Sequence, residues 1–175
     1  MMETRSVCFC GYSVGTDVYS LVPEFCRPFG SRVLLIGGER AMAAALPGLE
    51  AALLDSGLSI VEARPFGGDC TQANIDRLAG RARELEVDMI FGAGGGKALD
   101  TAKGAAFAAG LPVFTFPTIA ATCAGTTALS VVYREDGSFD RFAFYPRPAR
   151  HCFINLDILA RAPWQYLQAG MGDTI

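Results

Sequence analysis

Four short apolar runs, each closed by glycine or proline and each separated from the next by a stretch of helical spacing, constrain this chain of 175 residues more than any other feature. The first, Arg32-Val33-Leu34-Leu35-Ile36-Gly37-Gly38, stays apolar without alternation, which is how a strand reads when both faces of its sheet are covered. Residues 41–55 follow, with Met42, Ala45, Leu46, Leu49 and Leu53 near helical spacing and Gly57 as a stop signal; Pro47 predicts a kink or a split. A second run, 58–63, leads to residues 71–85, where Ile75, Leu78, Ala82 and Leu85 recur at spacings of three and four behind Thr71, a good capping residue. The third run, 87–93, passes through Gly94-Gly95-Gly96 into a helix ending near Ala109, and the fourth is 113–116. Strands alternating with helices over short loops predict parallel β-α-β units, hence an α/β domain with a Rossmann-like parallel sheet flanked by helices.

After Pro117 the pattern changes. Residues 129–134 and 139–145 flank Glu135-Asp136-Gly137-Ser138, and an Asp-Gly pair tolerates the positive φ of a tight turn, so a β-hairpin is added to the domain. Residues 152–156 form a further strand, opened by His151, the single histidine, which reads as structural before it reads as a ligand. Pro163 suits the first turn of a helix. Gly172-Asp173-Thr174 reads as the opening of another element, with an acidic residue near a helix N-terminus.

Composition removes several classes of function. Fifteen Lys and Arg stand against eighteen Asp and Glu, a net charge of −3, and no basic run exists, so neither nucleic acid nor an anionic membrane surface is expected as a partner. A hydrophobic content of 51% with 19% charged residues is that of a folded core. Residues 1–11 lack the apolar centre of a signal peptide, and no apolar stretch is long enough to span a bilayer, so a cytoplasmic location is expected. Without a secretory signal, Cys8, Cys10, Cys26, Cys70, Cys123 and Cys152 are read mostly as buried free thiols. Cys8 and Cys10 form C-x-C with no second pair, which speaks against structural zinc.

Glycine, at 20 of 175 residues, is well above its usual share of about 7%. Its densest cluster is Phe91-Gly92-Ala93-Gly94-Gly95-Gly96-Lys97-Ala98-Leu99-Asp100-Thr101-Ala102-Lys103. A buried strand, three glycines and a helix bring a phosphate against free N–H groups at a positive helix end. The alternative is that the glycines only permit tight packing of strand on helix, but three flexible residues cost entropy that a plain turn avoids. The spacing is not that of a Walker loop, since Phe91 and Ala98 stand where Gly and Ser/Thr belong, and it departs from the Rossmann fingerprint at Lys97.

Taken together, Gly94-Gly95-Gly96-Lys97-x-x-Asp100-Thr101-Ala102-Lys103, Pro117-Thr118-Ile119-Ala120-Ala121-Thr122, Ala128-Leu129-Ser130-Val131-Val132-Tyr133 and Ala169-Gly170-Met171-Gly172-Asp173 resemble the glycerol dehydrogenase branch of the iron-containing (group III) alcohol dehydrogenases, whose fold is dehydroquinate synthase-like. The resemblance is collinear from about Tyr12 onward. It implies NAD as cofactor, with the diphosphate on Gly94, Gly95, Gly96 and Lys97. It also implies that Thr118, Ala121, Thr122, Thr127, Leu129 and Tyr133 line the nicotinamide side. Glu39 matches an acidic position that takes the adenosine ribose hydroxyls, where a carboxylate favours NAD over NADP; by itself it is also an ordinary solvated acid at a helix start. Asp100 belongs to the cofactor helix by resemblance, and by physics alone it is an acid favoured in a first helical turn.

Asp173 matches the first of three ligands to a zinc or ferrous ion, the others being histidines in a following helical domain. One carboxylate cannot hold a catalytic zinc, which takes about three protein ligands. The resemblance therefore implies residues 1–162 as an NAD-binding α/β domain, and residues 163–175 as the start of a helical metal-binding domain whose histidines are absent. The 175 residues alone are expected to have no dehydrogenase turnover. Polyol-specific members carry an aspartate where Cys123 stands, so Cys123 is a candidate substrate-binding position, and its lack of charge speaks against glycerol itself and for a 2-hydroxy acid or another alcohol. Cys123 also reads as a small buried residue, and a catalytic thiol is disfavoured because no histidine lies close in sequence. The expected function is NAD-dependent, metal-requiring oxidation of a secondary alcohol by hydride transfer, in an enzyme that is a homo-oligomer when complete. A different class, a non-catalytic dinucleotide-binding module, would use the same glycine loop.

Overall fold

The computed structural model describes residues 9–174. In chain order the strands are β1 (Gly11–Gly15), β2 (Arg32–Gly37), β3 (Ser59–Pro65), β4 (Met89–Gly94), β5 (Val113–Pro117), β6 (Leu129–Tyr133), β7 (Phe139–Phe144) and β8 (His151–Asn155). The helices are α1 (Val22–Cys26), α2 (Glu39–Leu53), α3 (Gln72–Glu84), α4 (Gly96–Ala109), α5 (Leu156–Arg161) and α6 (Trp164–Asp173). Six strands form one parallel sheet in the order β1-β8-β5-β4-β2-β3, and β6 with β7 forms a separate antiparallel pair. This is the α/β sheet with an added hairpin that the apolar runs predict.

Successive residues of a strand face opposite sides, and here both sides are buried. Val33, Leu35, Met89, Phe91, Phe114, Phe116 and Phe153 pack on the α1 and α2 side, whereas Leu34, Ile36, Ile90 and Val113 pack against α3 and α4. Phe116 and Phe153 stack at 5.2 Å, and Phe91 lies 4.9 Å from Phe116. Fully burying such a side chain contributes about 1.5–3 kcal/mol. The helix from β2 to β3 lies on one face and the helices from β3 to β4 and from β4 to β5 lie on the other. The chain therefore reverses direction across the sheet between β2 and β4, opening a crevice at their carboxyl ends.

Helix starts follow local chemistry. The Thr71 hydroxyl accepts the Asn74 N–H at 3.2 Å, and the Asn155 side chain accepts from the N–H groups of Asp157 and Ile158 at 3.0 and 3.1 Å.

The structure corrects four sequence readings. Pro47 does not split α2, which runs unbroken across it; the carbonyl that loses its donor belongs to Ala43, an exposed residue, where solvent can satisfy it. That helix also stops at Leu53, and Asp55 instead takes a positive φ of 56° in the following turn. Gly172 and Asp173 continue α6, which begins at Trp164, rather than opening an element of their own. Finally β1, α1 and α5 were not read from the sequence. β1 has five residues with glycine at both ends and Tyr12 and Val14 exposed, and it exists because it pairs with β8, Gly11 opposite His151.

Candidate functional site

The glycine turn sits at the crevice. Gly94 ends β4 at φ 149°, which L side chains rarely adopt, and a Cβ there would lie 2.8 Å from that of Ala98. The chain thus passes directly from the sheet into α4. Gly95 is the N-cap, and no side chain caps the helix, so the first-turn N–H groups of α4 present their positive end at the carboxyl edge of the sheet. The N–H of Thr118, just after β5, donates to the Gly94 carbonyl at 3.1 Å and fixes the neighbouring loop to this turn.

A cleft of about 1140 Å³ lies over the same edge, somewhat larger than the roughly 300–1,000 Å³ of sites for small ligands. Glu39, Gly95 and Thr118 line it, together with Arg40, the Phe66-Gly67-Gly68 turn and Arg161. Backbone supplies much of the wall because Gly37, Gly38, Gly67, Gly68 and Gly95 carry no side chain to fill it. Tyr19 also lines the cleft, and its buried hydroxyl has no hydrogen-bond partner among the described residues. Burial pushes that phenol above its ordinary range, so it stays neutral.

The other cofactor candidates surround the turn without all reaching the cleft. Gly96 opens α4 with Thr122 beside it, and Lys97 pairs with Asp69 at 2.7 Å and stands 4.9 Å from the centre of the Tyr133 ring. Ala121 lies on the partly buried loop before Thr122. Asp100 is 5% exposed and is occupied by the protein itself: Oδ2 accepts the Val131 N–H at 2.9 Å and Oδ1 lies 2.9 Å from Lys103 Nζ. Lys103 in turn donates to the carbonyls of Ala124, Thr127 and Leu129, which places Thr127 and Leu129 in this knot.

Cys123 is exposed on the loop, and its carbonyl accepts from Thr126. Asp173 is exposed, and no group of three or more His, Cys, Asp or Glu side chains is placed to hold a metal among the described residues. Those residues therefore do not fit a catalytic metal centre. His151 is structural, as its position suggested: it shares a 2.9 Å hydrogen bond with Ser13 and stacks on Phe25 at 3.9 Å, and burial lowers its pKa. Cys26, Cys70 and Cys152 are buried, and burial pushes the first two thiols up to about 12 and about 11, so neither is a nucleophile at neutral pH. Cys8 lies outside the described residues.

Sequence reasoning missed Asp69, Arg40 and the α5–α6 wall with Arg161. The Asn155-x-Asp157 start of α5 is a legible cap and could have revealed that wall. Nothing in the sequence joins Asp69 to Lys97, 28 positions away.

A parallel sheet with a reversal of strand order, a glycine turn into an uncapped helix and a cleft above both define a Rossmann-like α/β domain of the nucleotide-binding kind. The model of the family described as iron-containing alcohol dehydrogenase matches residues 11–150, and the chain belongs to that family. It is 42% identical over 164 residues to a glycerol dehydrogenase of Escherichia coli O6:H1, covering 94% of this chain and 44% of that one. It is 39% identical over 145 residues to hydroxycarboxylate dehydrogenase A of Escherichia coli K12, covering 83% of this chain and 39% of the relative. The crystal structure of a Schizosaccharomyces pombe glycerol dehydrogenase superposes with a TM-score of 0.87 at 27% identity, over 98% of this chain and 44% of that one. The chain thus spans less than half the length of these relatives.

Proposed function

We propose that residues 1–162 form the NAD-binding domain of an oxidoreductase that oxidises a small secondary alcohol, and that residues 163–175 begin a helical metal-binding domain. The observation that carries this reading is the uncapped α4 N-terminus, whose N-cap Gly95 lines the cleft of about 1140 Å³. The α4 N–H groups hold the diphosphate, with Lys97 turning from Asp69 toward it. Glu39, in the same cleft, takes the ribose hydroxyls and disfavours a 2′-phosphate. The segment from Thr118 to Tyr133 bounds the other half of the dinucleotide. NAD supplies the hydride acceptor when bound.

A zinc or iron requirement is part of the proposal, with Asp173 as one ligand; among the described residues no three His, Cys, Asp or Glu side chains are grouped to hold the ion. The substrate class is a polyol such as glycerol or a 2-hydroxy acid, a choice supported by relatives of both names and by the uncharged Cys123 on the adjoining loop. The complete enzyme is proposed to be a cytoplasmic homo-oligomer. Among the described residues no helix is long and apolar enough to cross a membrane.

Calorimetry with NAD tests the core of this reading. Binding is expected, with NADP weaker by about tenfold because Glu39 repels its extra phosphate. No binding at millimolar NAD overturns it.

A further inference from the structure

Lys103 is a buried charge to which the proposed function gives no task. It is 3% exposed, and oxygen surrounds its ammonium group: the carbonyls of Ala124 at 2.7 Å, Thr127 at 3.3 Å and Leu129, the Thr127 hydroxyl at 3.1 Å and the Asp100 carboxylate at 2.9 Å. An ammonium group has three protons, which the carbonyl and hydroxyl oxygens share, while Asp100 Oδ1 pairs with it by charge and makes no hydrogen bond. Burying such a charge costs several kcal/mol, and an apolar side chain of equal volume would serve packing as well. What the charge adds is directional. All three carbonyls belong to residues 124–129, which have no helix and reach a strand only at Leu129. A Met side chain could not orient them.

The position of this segment gives the fixing a purpose. Across the carboxyl edge of the sheet, Glu39 follows β2, the glycine turn follows β4 and Thr118 follows β5. A dinucleotide with one ribose at Glu39 and its diphosphate at the glycine turn must place its other half on the β5 side. Thr122 packs beside Gly96 there, and the pinned residues begin two positions later. We propose that Lys103 is a positioning residue: without touching the cofactor, it holds residues 124–129 as a fixed wall for the nicotinamide-bearing half. This inference rests on the NAD-binding reading above.

The test compares NAD with ADP-ribose, which lacks the nicotinamide ring, by calorimetry on the unaltered chain and on Lys103→Met. The expected result is that the variant binds NAD about tenfold more weakly, while ADP-ribose changes by less than about twofold. Equal loss of both ligands, or no loss of either, overturns the inference. If Lys103→Met does not fold, hydrogen exchange of the unaltered chain decides. Amides 124–129 should exchange far more slowly than those of the exposed 134–138 turn, and NAD but not ADP-ribose should slow them further. Exchange as fast as that turn, or equal protection by both ligands, overturns it. An unaltered chain that binds neither ligand removes the NAD-binding reading instead, and this inference with it.

Discussion

A methyl group on Gly95 would lie 2.5 Å from Ile119 Cδ1, the tip of a flexible side chain at the cleft. Gly95→Ala therefore pushes Ile119 aside and covers α4 N–H groups without breaking the core. We expect NAD affinity to fall about tenfold in calorimetry while the Tm moves by only a few degrees. Asp88 acts on stability instead. The N–H groups of Arg32 and Ser31 donate to it at 2.9 and 2.7 Å and hold its carboxyl below the usual carboxylate range. With a lowered folded pKa, its contribution is fully present above the unfolded value near 4 and is lost as pH falls through the folded one. Asp88→Asn should cost about 1–2 kcal/mol in urea unfolding at pH 7, and the difference from the parent should shrink below pH 4. Single residues were legible in the sequence where the chemistry is local. Glu39, Gly95 and Thr118, singled out from the sequence, line the cleft; the Asp100–Lys103 pair follows i,i+3 helical spacing, whereas its burial depends on a hairpin packing over α4 that no spacing rule encodes.

Helices and strands were legible where their signals were redundant. In α3, apolar spacing and a cap agree, and Ile75, Leu78 and Ala82 are all buried behind Thr71. Removing that cap with Thr71→Ala should cost about 1 kcal/mol, read as an earlier urea midpoint with unchanged slope. Pro47 does not end α2 because the residue whose carbonyl loses its donor, Ala43, is exposed to solvent. Strand β1 was illegible for the opposite reason: its five residues show little internal pattern and are defined by a partner 140 residues away. α6 has the clearest sequence start, at Pro163, yet it buries none of its residues and leaves Trp164 63% exposed.

For the whole molecule, membership of the iron-containing alcohol dehydrogenases agrees with what the alternating apolar runs dictate. The reversal of strand order between β2 and β4 places the cleft, and the glycine turn follows from it. The reversal and the glycine turn both lie within residues 32–118, while α5 and α6 add the opposite wall of the cleft. The pairing of β1 with β8 carries a consequence for biosynthesis. Residues 11–15 are synthesised about 140 residues before residues 151–155, their only sheet neighbour among the described residues. At about 5–20 residues per second, Tyr12 and Val14 wait on the order of ten seconds for a place to dock. During translation the nascent chain therefore carries an unmatched strand that chaperones, or another copy, can capture. Arrest peptides placed downstream should register the force of docking only after Asn155 has cleared the exit tunnel.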